Sequence, residues 1–124
     1  MEPDWTYDQS SGQVFFQGKL YTQAYSGRDA GKNNPALQDK VALGPIPRGI
    51  WRMGNPYKSE AVGRYCIPLI PMEGTVTFNR TAFLIHGDSV SHPGKASKGC
   101  IIVSPLSRRQ TMYTQGNRLV RVIE

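Results

Sequence analysis

Apolar and polar residues alternate through the first quarter of the chain, in WTYDQSSGQVFF and then in QGKLYTQAYS. A period of two is typical of strands that bury one face, and the polar residues and glycines between the runs favour turns. We therefore expect an antiparallel meander whose half-buried face carries Val14, Phe16, Leu20 and the tyrosines. A polar segment, GRDAGKNNPALQDK, follows, and its length marks it as either a connector or a functional loop.

The middle and end of the chain predict further elements. In GPIPRGIWRMG, prolines fix an extended approach to a strand that begins at Gly49. In YCIPLIPM, Pro68 has no N–H to donate to a strand ladder, so we expect this strand at an edge or a bulge. The best helix candidate is LSRRQTMYTQG, with Ser104 as N-cap, Pro105 at the first helical position and Gly116 as its end.

These patterns predict one β-rich domain over residues 1–124. RLVRVIE closes the chain as an alternating strand, and no repeat or linker interrupts the sequence. The 13 glycines and 9 prolines favour many short strands joined by turns.

Charge limits the partners only loosely. A net charge of +6 favours polyanions such as nucleic acid, anionic lipid headgroups or the carboxylate-rich bacterial cell wall, although a solvated basic face is equally compatible. The aromatic residues alternate as strand residues instead of interleaving with Arg and Lys, so we expect no nucleic-acid partner. No apolar run could span a bilayer, and MEPDWTYDQSSG lacks the regions of a Sec signal. We therefore expect neither membrane insertion nor a signal peptide.

Two reactive residues lie at the ends of apolar runs. TAFLIHGDS ends its run at His86, and GCIIVSP begins its own at Cys100, with the polar loop GDSVSHPGKASK between them. A thiolate at Cys100 could attack an acyl carbon with an imidazole as base, because strand ends hold side chains rigidly. Lys95 and Lys98 add positive charge, and the N–H groups around Gly99 and Cys100 could form an oxyanion hole.

The residues alone leave other interpretations open. Cys100 could be a core residue, and Cys66, within its own apolar run, is expected to be a buried, inert thiol. The chain has no C-x-x-C, and the spacing of His86 and His92 fits no standard zinc finger. We therefore expect no metal and no other cofactor.

The segment LIHGDSVSHPGKASKGCI resembles the active-site signature of the L,D-transpeptidase (YkuD-type) catalytic domain. In that signature a loop joins an Ile-His-Gly strand end to a Ser-(His or Lys)-Gly-Cys-Ile turn. The chain is more similar still to a small branch of type VI secretion effectors with L,D-transpeptidase-like activity, through WTYDQSSG, GKNNP, GPIPRG, FLIHGDS and HPGKASKGCII. The resemblance implies a β-sandwich or barrel with one or two short helices.

The resemblance also implies roles for the site residues. Cys100 would be the nucleophile and His86 the general base, acting on the L-centre carbonyl of meso-diaminopimelate in a peptidoglycan stem tetrapeptide. D-Ala would leave. Water would complete an L,D-carboxypeptidase reaction, a free D-amino acid would complete an exchange, and a neighbouring stem amine would form a crosslink. Ser97 and Gly99 match the turn that presents the cysteine in the family. We predict Gly87, Ser97, Lys98 and Gly99 as the substrate and oxyanion contacts.

Two departures from the signature leave points open. The family usually carries Arg or Asn two residues after the cysteine, where this chain has Ile102, so its competence for crosslinking stays open. His92 belongs to the effector-type HPG and could assist His86, replace it as base, or only order the loop. We favour His86, because a strand end fixes an imidazole better than a loop does. Both thiols are expected to be free, because a Cys66–Cys100 disulfide would silence the nucleophile.

An antibacterial toxin is the biological role that this resemblance implies. We expect a protein made in the producer's cytoplasm and delivered into the periplasm of a competitor. Its expected partners are tetrapeptide stems, a component of the secretion apparatus and a cognate immunity protein that covers the Cys100 cleft. The competing functions are a non-effector cell-wall cysteine peptidase and a basic wall-binding module without catalysis.

Overall fold

The computed structural model describes residues 2–124 and contains, within them, ten strands and one α-helix. The strands are β1 (Trp5–Asp8), β2 (Gln13–Phe16), β3 (Lys19–Gln23), β4 (Tyr25–Ser26), β5 (Gly49–Met53), β6 (Tyr57–Ser59), β7 (Gly63–Pro71), β8 (Leu84–His86), β9 (Ile101–Ile102) and β10 (Leu119–Ile123). The helix is α1 (Leu106–Thr114), and the loop between β4 and β5 carries two 3-10 turns, at Asp29–Gly31 and Pro35–Leu37. The predicted mostly β class and the N-terminal meander are confirmed.

The strands form one sheet in the order β3-β2-β1-β10-β5-β7-β8-β9-β4, and β6 pairs with β7 beside this path. Neighbours are antiparallel except for two parallel pairs, β1 with β10 and β8 with β9. Over the described residues the two ends of the order, β3 and β4, do not pair with each other, so the sheet stays open instead of closing into a barrel. The first parallel pair joins the two ends of the chain, and the second positions the reactive residues.

The buried isoleucines of the hydrophobic core determine which side chains face the side of the sheet that carries His86 and Cys100. Ile67, Ile85 and Ile101 lie in register on β7, β8 and β9, and all three are fully buried. Because successive strand side chains point to opposite faces, their neighbours His86 and Cys100 point to the other face. The core isoleucines therefore orient the two reactive residues toward the same side.

The predicted helix is present, but its start differs. It begins at Leu106, after Pro105, and no side chain of the described residues caps it. Ser104 is not the N-cap: its Oγ accepts the N–H of Asp88 at 3.0 Å, which ties the start of the helical segment to the loop after β8. The helix ends two residues before Gly116, whose φ of +77° suits a glycine.

Two expectations about strand residues are wrong. Pro68 lies within the nine-residue central strand β7, which is not an edge strand, and its pairing with β8 runs through Pro68 without a bulge. It sits between the part of β7 that pairs with β5 and the part that pairs with β6, and its carbonyl accepts the N–H of Gly54 at 2.7 Å. Pro68, which has no N–H to donate, therefore lies at the point where β7 changes from one partner strand to the other.

Leu20 does not belong to the half-buried face, because 59% of it is exposed on the outermost strand β3.

The helices of the structure can be compared with the length and apolar character that a membrane span requires. None of the helices formed by residues 2–124 has the length and apolar character needed to cross a bilayer.

Candidate active site

Cys100 and His86 come together because β8 and β9 are parallel neighbours. Ile85 pairs with Ile101 and His86 with Ile102, so Cys100, immediately before β9, is diagonal to His86 on the same face. Diagonal neighbours of this kind have Cα atoms about 7–8 Å apart, within reach of an imidazole. Both side chains line one cleft of about 560 Å³, which we call the Cys100 branch.

His86 is held as a neutral base. Only 2% of it is exposed, and its Nδ1 lies 2.9 Å from the Gly87 carbonyl oxygen. Because a carbonyl oxygen only accepts, Nδ1 carries the proton and Nε2 keeps its lone pair. Burial lowers the pKa of His86, the Gly87 carbonyl opposes this, and the positive charge of Arg109 lowers the pKa further. The imidazole is therefore unprotonated at neutral pH and can accept a proton.

Cys100 rests as a thiol and not as a thiolate. Burial raises the pKa of this thiol, and the backbone of Leu84 and the charge of Arg80 only partly oppose that effect. Its Sγ points to the Ala82 carbonyl oxygen at 3.7 Å, and within residues 2–124 no hydrogen bond joins it to an imidazole. A nucleophilic role for this sulfur would therefore need a base that removes the thiol proton.

Ser97 holds the turn that presents Cys100. Its buried Oγ accepts the N–H groups of Gly27 at 2.8 Å and Gly99 at 3.1 Å, and it donates to the Cys100 carbonyl at 2.6 Å. The Gly99 N–H is thus engaged by Ser97 in this structure. Gly99 has a φ of +127°, and a side chain there would collide with the Arg80 guanidinium.

Arg80 is a site residue that the sequence analysis missed. It is only 5% exposed, and its guanidinium donates to backbone carbonyl oxygens, with no carboxylate partner among the described residues. The acceptors are the carbonyls of Gln38, Gly44, Pro45 and Lys98. Arg80 therefore joins the β4–β5 loop to the turn that presents Cys100, and it places a positive charge beside Cys100.

Arg109 on α1 was also missed. It is buried, and it lies so close to Gly87 that a Cβ at that position would be 2.9 Å from its guanidinium. It donates to the carbonyl oxygens of Tyr65 at 2.9 Å, Val103 at 2.7 Å and Arg64 at 2.8 Å. The helix is thereby fixed to the strand ends behind His86. In sequence, neither arginine differs from the solvent-exposed arginines that such polar segments usually carry.

His92 lies apart from Cys100. It is exposed in the loop after β8, where its Nδ1 is 3.0 Å from Ser91 Oγ. It lines a second cleft of about 470 Å³, which we call the polar branch.

The two branches of the cleft meet at four residues that line both of them: His86, Ala61, Val62 and Ala96. The polar branch also contains Arg28, Gly87, Asp88 and Lys95, whereas Lys98 lines the Cys100 branch. This placement favours His86 over His92 as the base.

Asp88 orders the loop that carries His92. Its carboxylate accepts the Tyr25 hydroxyl at 2.7 Å and the N–H groups of Ser89 at 2.8 Å and Gly94 at 3.1 Å. Burial and the hydrogen bond to Asp88 raise the pKa of Tyr25 to about 12. Tyr25 is therefore a permanent donor to this carboxylate at neutral pH.

The two cysteines are both free. Cys66 lies on β7 and Cys100 directly before β9, with β8 between them. Since adjacent strands are about 4.8 Å apart, this separation is about 10 Å, beyond the roughly 7 Å limit between the Cα atoms of a disulfide. Among residues 2–124, moreover, no three His, Cys, Asp or Glu side chains are grouped so as to hold a metal ion.

Comparison with solved structures gives the class of fold. The chain is similar to the catalytic domain of an L,D-transpeptidase from E. faecium, solved by NMR, with a TM-score of 0.56 and 18% sequence identity. The match covers 98% of this chain and 97% of the other. The architecture is therefore that of an L,D-transpeptidase catalytic domain.

Comparison with protein families is more specific. The model of the Tlde1 domain matches residues 21–123, and the chain belongs to this family of type VI secretion effectors related to L,D-transpeptidases. No curated protein matches the chain.

Proposed function

We propose that this type VI secretion effector removes the terminal D-Ala from peptidoglycan stem tetrapeptides, or exchanges it for another D-amino acid, with Cys100 as nucleophile. Membership of the Tlde1 family and the L,D-transpeptidase fold support an effector that acts on peptidoglycan. The observation that carries the finer proposal is that a neutral, buried His86 on β8 and Cys100, directly before the parallel strand β9, line one cleft.

The first half of the reaction forms a thioester. His86 Nε2 takes the Cys100 proton, and the sulfur attacks the L-centre carbonyl of meso-diaminopimelate. The Cys100 N–H stabilises the oxyanion that develops. The C–N bond then breaks, His86 returns the proton to the departing amine, and D-Ala leaves.

The second half regenerates the thiol. His86 takes a proton from water or from the amine of a free D-amino acid, which attacks the thioester carbonyl. The C–S bond breaks and the proton returns to Cys100. Water yields a tripeptide stem, and a D-amino acid yields a new tetrapeptide.

The test is to incubate the purified protein with tetrapeptide muropeptides, with and without D-Met. Tripeptide without D-Met indicates carboxypeptidase activity, and a D-Met tetrapeptide indicates exchange. Unchanged muropeptides under both conditions would overturn the proposal.

We also propose that the protein acts in the periplasm of the target cell, where these stems lie, and that a cognate immunity protein blocks the Cys100 branch. Fused to a periplasmic signal, the wild-type protein should kill the producing cell, and the Cys100→Ala variant should not. The unfused protein should be tolerated in the cytoplasm. Killing from the cytoplasm by a protein that is harmless in the periplasm would contradict this location.

The pH dependence should reflect the neutral state of His86. Because its pKa is lowered below 6.5, the imidazole stays unprotonated to lower pH than an exposed histidine. Tripeptide release, measured as kcat/KM, should therefore rise with pH through a midpoint below 6.5 and stay level from there to pH 8. Arg109→Gln removes a charge that lowers this pKa and should move the midpoint upward. A wild-type midpoint well above 6.5 would exclude His86, as placed here, as the base.

A further inference from the structure

The two branches of the cleft have different chemistry, and His86 lies where they meet. The Cys100 branch contains apolar side chains such as Val41, Ala42 and Leu84. The polar branch contains two cations, Arg28 and Lys95. A substrate bound to Cys100 therefore has two distinct directions in which to extend.

The mechanism places two atoms of the substrate relative to the branches. The attacked carbonyl must lie at Cys100, and the nitrogen of the leaving group must lie at His86, which protonates it. Cys100 lines only the first branch, whereas His86 lines both. A leaving D-Ala that extends past His86 enters the polar branch, and its carboxylate is only two bonds beyond its nitrogen.

The charges in the polar branch suit a carboxylate. Asp88 is its acidic residue, but that carboxylate is already occupied by Tyr25 and by the N–H groups of the loop. Within residues 2–124, Arg28 pairs only with the exposed Asp29, at 3.4 Å, a contact that solvent weakens. Arg28 is also anchored close to the nucleophile turn, because the N–H of the preceding residue, Gly27, donates to Ser97.

We propose that Arg28 and Lys95 form a subsite for the free α-carboxylate of the C-terminal D-amino acid. This inference rests on the proposed function, and it adds which peptide ends the protein accepts as substrate. The subsite restricts cleavage to a residue with a free carboxylate, so the protein removes one terminal residue and does not cut within a longer peptide. The same subsite binds the carboxylate of an incoming free D-amino acid, because the acceptor attacks from the side on which D-Ala left.

The test compares a tetrapeptide that ends in D-Ala with the same peptide ending in D-alaninamide. Wild-type protein should cleave the amide with a kcat/KM at least about tenfold lower, since a charge-assisted contact is lost. The less basic amine of D-alaninamide is the better leaving group, so slower cleavage must reflect recognition. In the exchange assay, D-Met should be incorporated and D-methioninamide should not.

Charge-removing variants complete the test. Arg28→Gln and Lys95→Gln should each raise KM for the acid about tenfold and change cleavage of the amide little. The matched control is Lys19→Gln, which removes an exposed positive charge on β3, far along the sheet from the cleft. Equal cleavage of acid and amide, with Arg28→Gln and Lys95→Gln behaving like the control, would overturn the subsite and leave the proposed function intact. A wild-type protein that cleaves neither peptide would overturn the proposed function, and the subsite with it.

Discussion

Replacing Cys100 by alanine is expected to reduce release of D-Ala by about 10,000-fold or more, because no other group in the cleft can form the thioester. The fold should be unchanged, since among residues 2–124 the Cys100 side chain makes only a weak hydrogen bond, to Ala82, and is partly exposed. Tripeptide formation measures the first effect and thermal unfolding the second. Cys100→Ser should also be inactive, because a hydroxyl is a far weaker nucleophile beside a neutral imidazole.

Cys66→Ala is the matched control for this prediction. Cys66 is fully buried, and its thiol donates to the Gly63 carbonyl at 3.2 Å. Removing it should cost about 1–2 kcal/mol of stability through a small cavity and leave catalysis largely intact. Activity that survives Cys100→Ala, or that disappears with Cys66→Ala in a folded protein, would show that the nucleophile has been misassigned.

Replacing Arg80 by methionine is expected to lower the free energy of unfolding by at least about 3 kcal/mol, because four backbone carbonyls lose their donor at once. For a domain of this size the corresponding fall in Tm is about 10 °C. Activity should fall as well, since the variant frees the Lys98 carbonyl and removes the positive charge beside Cys100. Thermal denaturation and tripeptide release measure the two effects.

The matched control for Arg80 is Arg48→Met. Arg48 pairs with Glu124 at 2.6 Å, but both side chains are exposed, so this loss should cost no more than about 1 kcal/mol. If Arg80→Met is as stable and as active as Arg48→Met, the β4–β5 loop and the nucleophile turn do not depend on the buried guanidinium.

Much of the fold could be predicted from the sequence because its signals are local. Alternating residues marked β1 to β3 and β10, and glycine marked the end of α1. The ends of two apolar runs also indicated His86 and Cys100, which the parallel pairing of β8 and β9 then brings together. These predictions depended only on short-range patterns of burial and turn formation.

The remaining features depend on contacts between distant segments. Pro68 suggested an edge strand, but β7 accommodates it by changing partners there. Arg80 and Arg109 are buried because the backbone carbonyls of distant residues surround them, and no local pattern reveals such acceptors. The engagement of the Gly99 N–H by Ser97 was likewise invisible, since it follows from the shape of the folded turn.

The most direct test of the account is the mass of the intact protein, acid-quenched during turnover of a tetrapeptide. We predict an adduct equal to the tripeptide acyl group, located on the peptide that contains Cys100, which decays to tripeptide in water and to a D-Met tetrapeptide when D-Met is added. Release of D-Ala with the adduct on another residue, or with no adduct at any quench time while product accumulates, would contradict a thioester at Cys100.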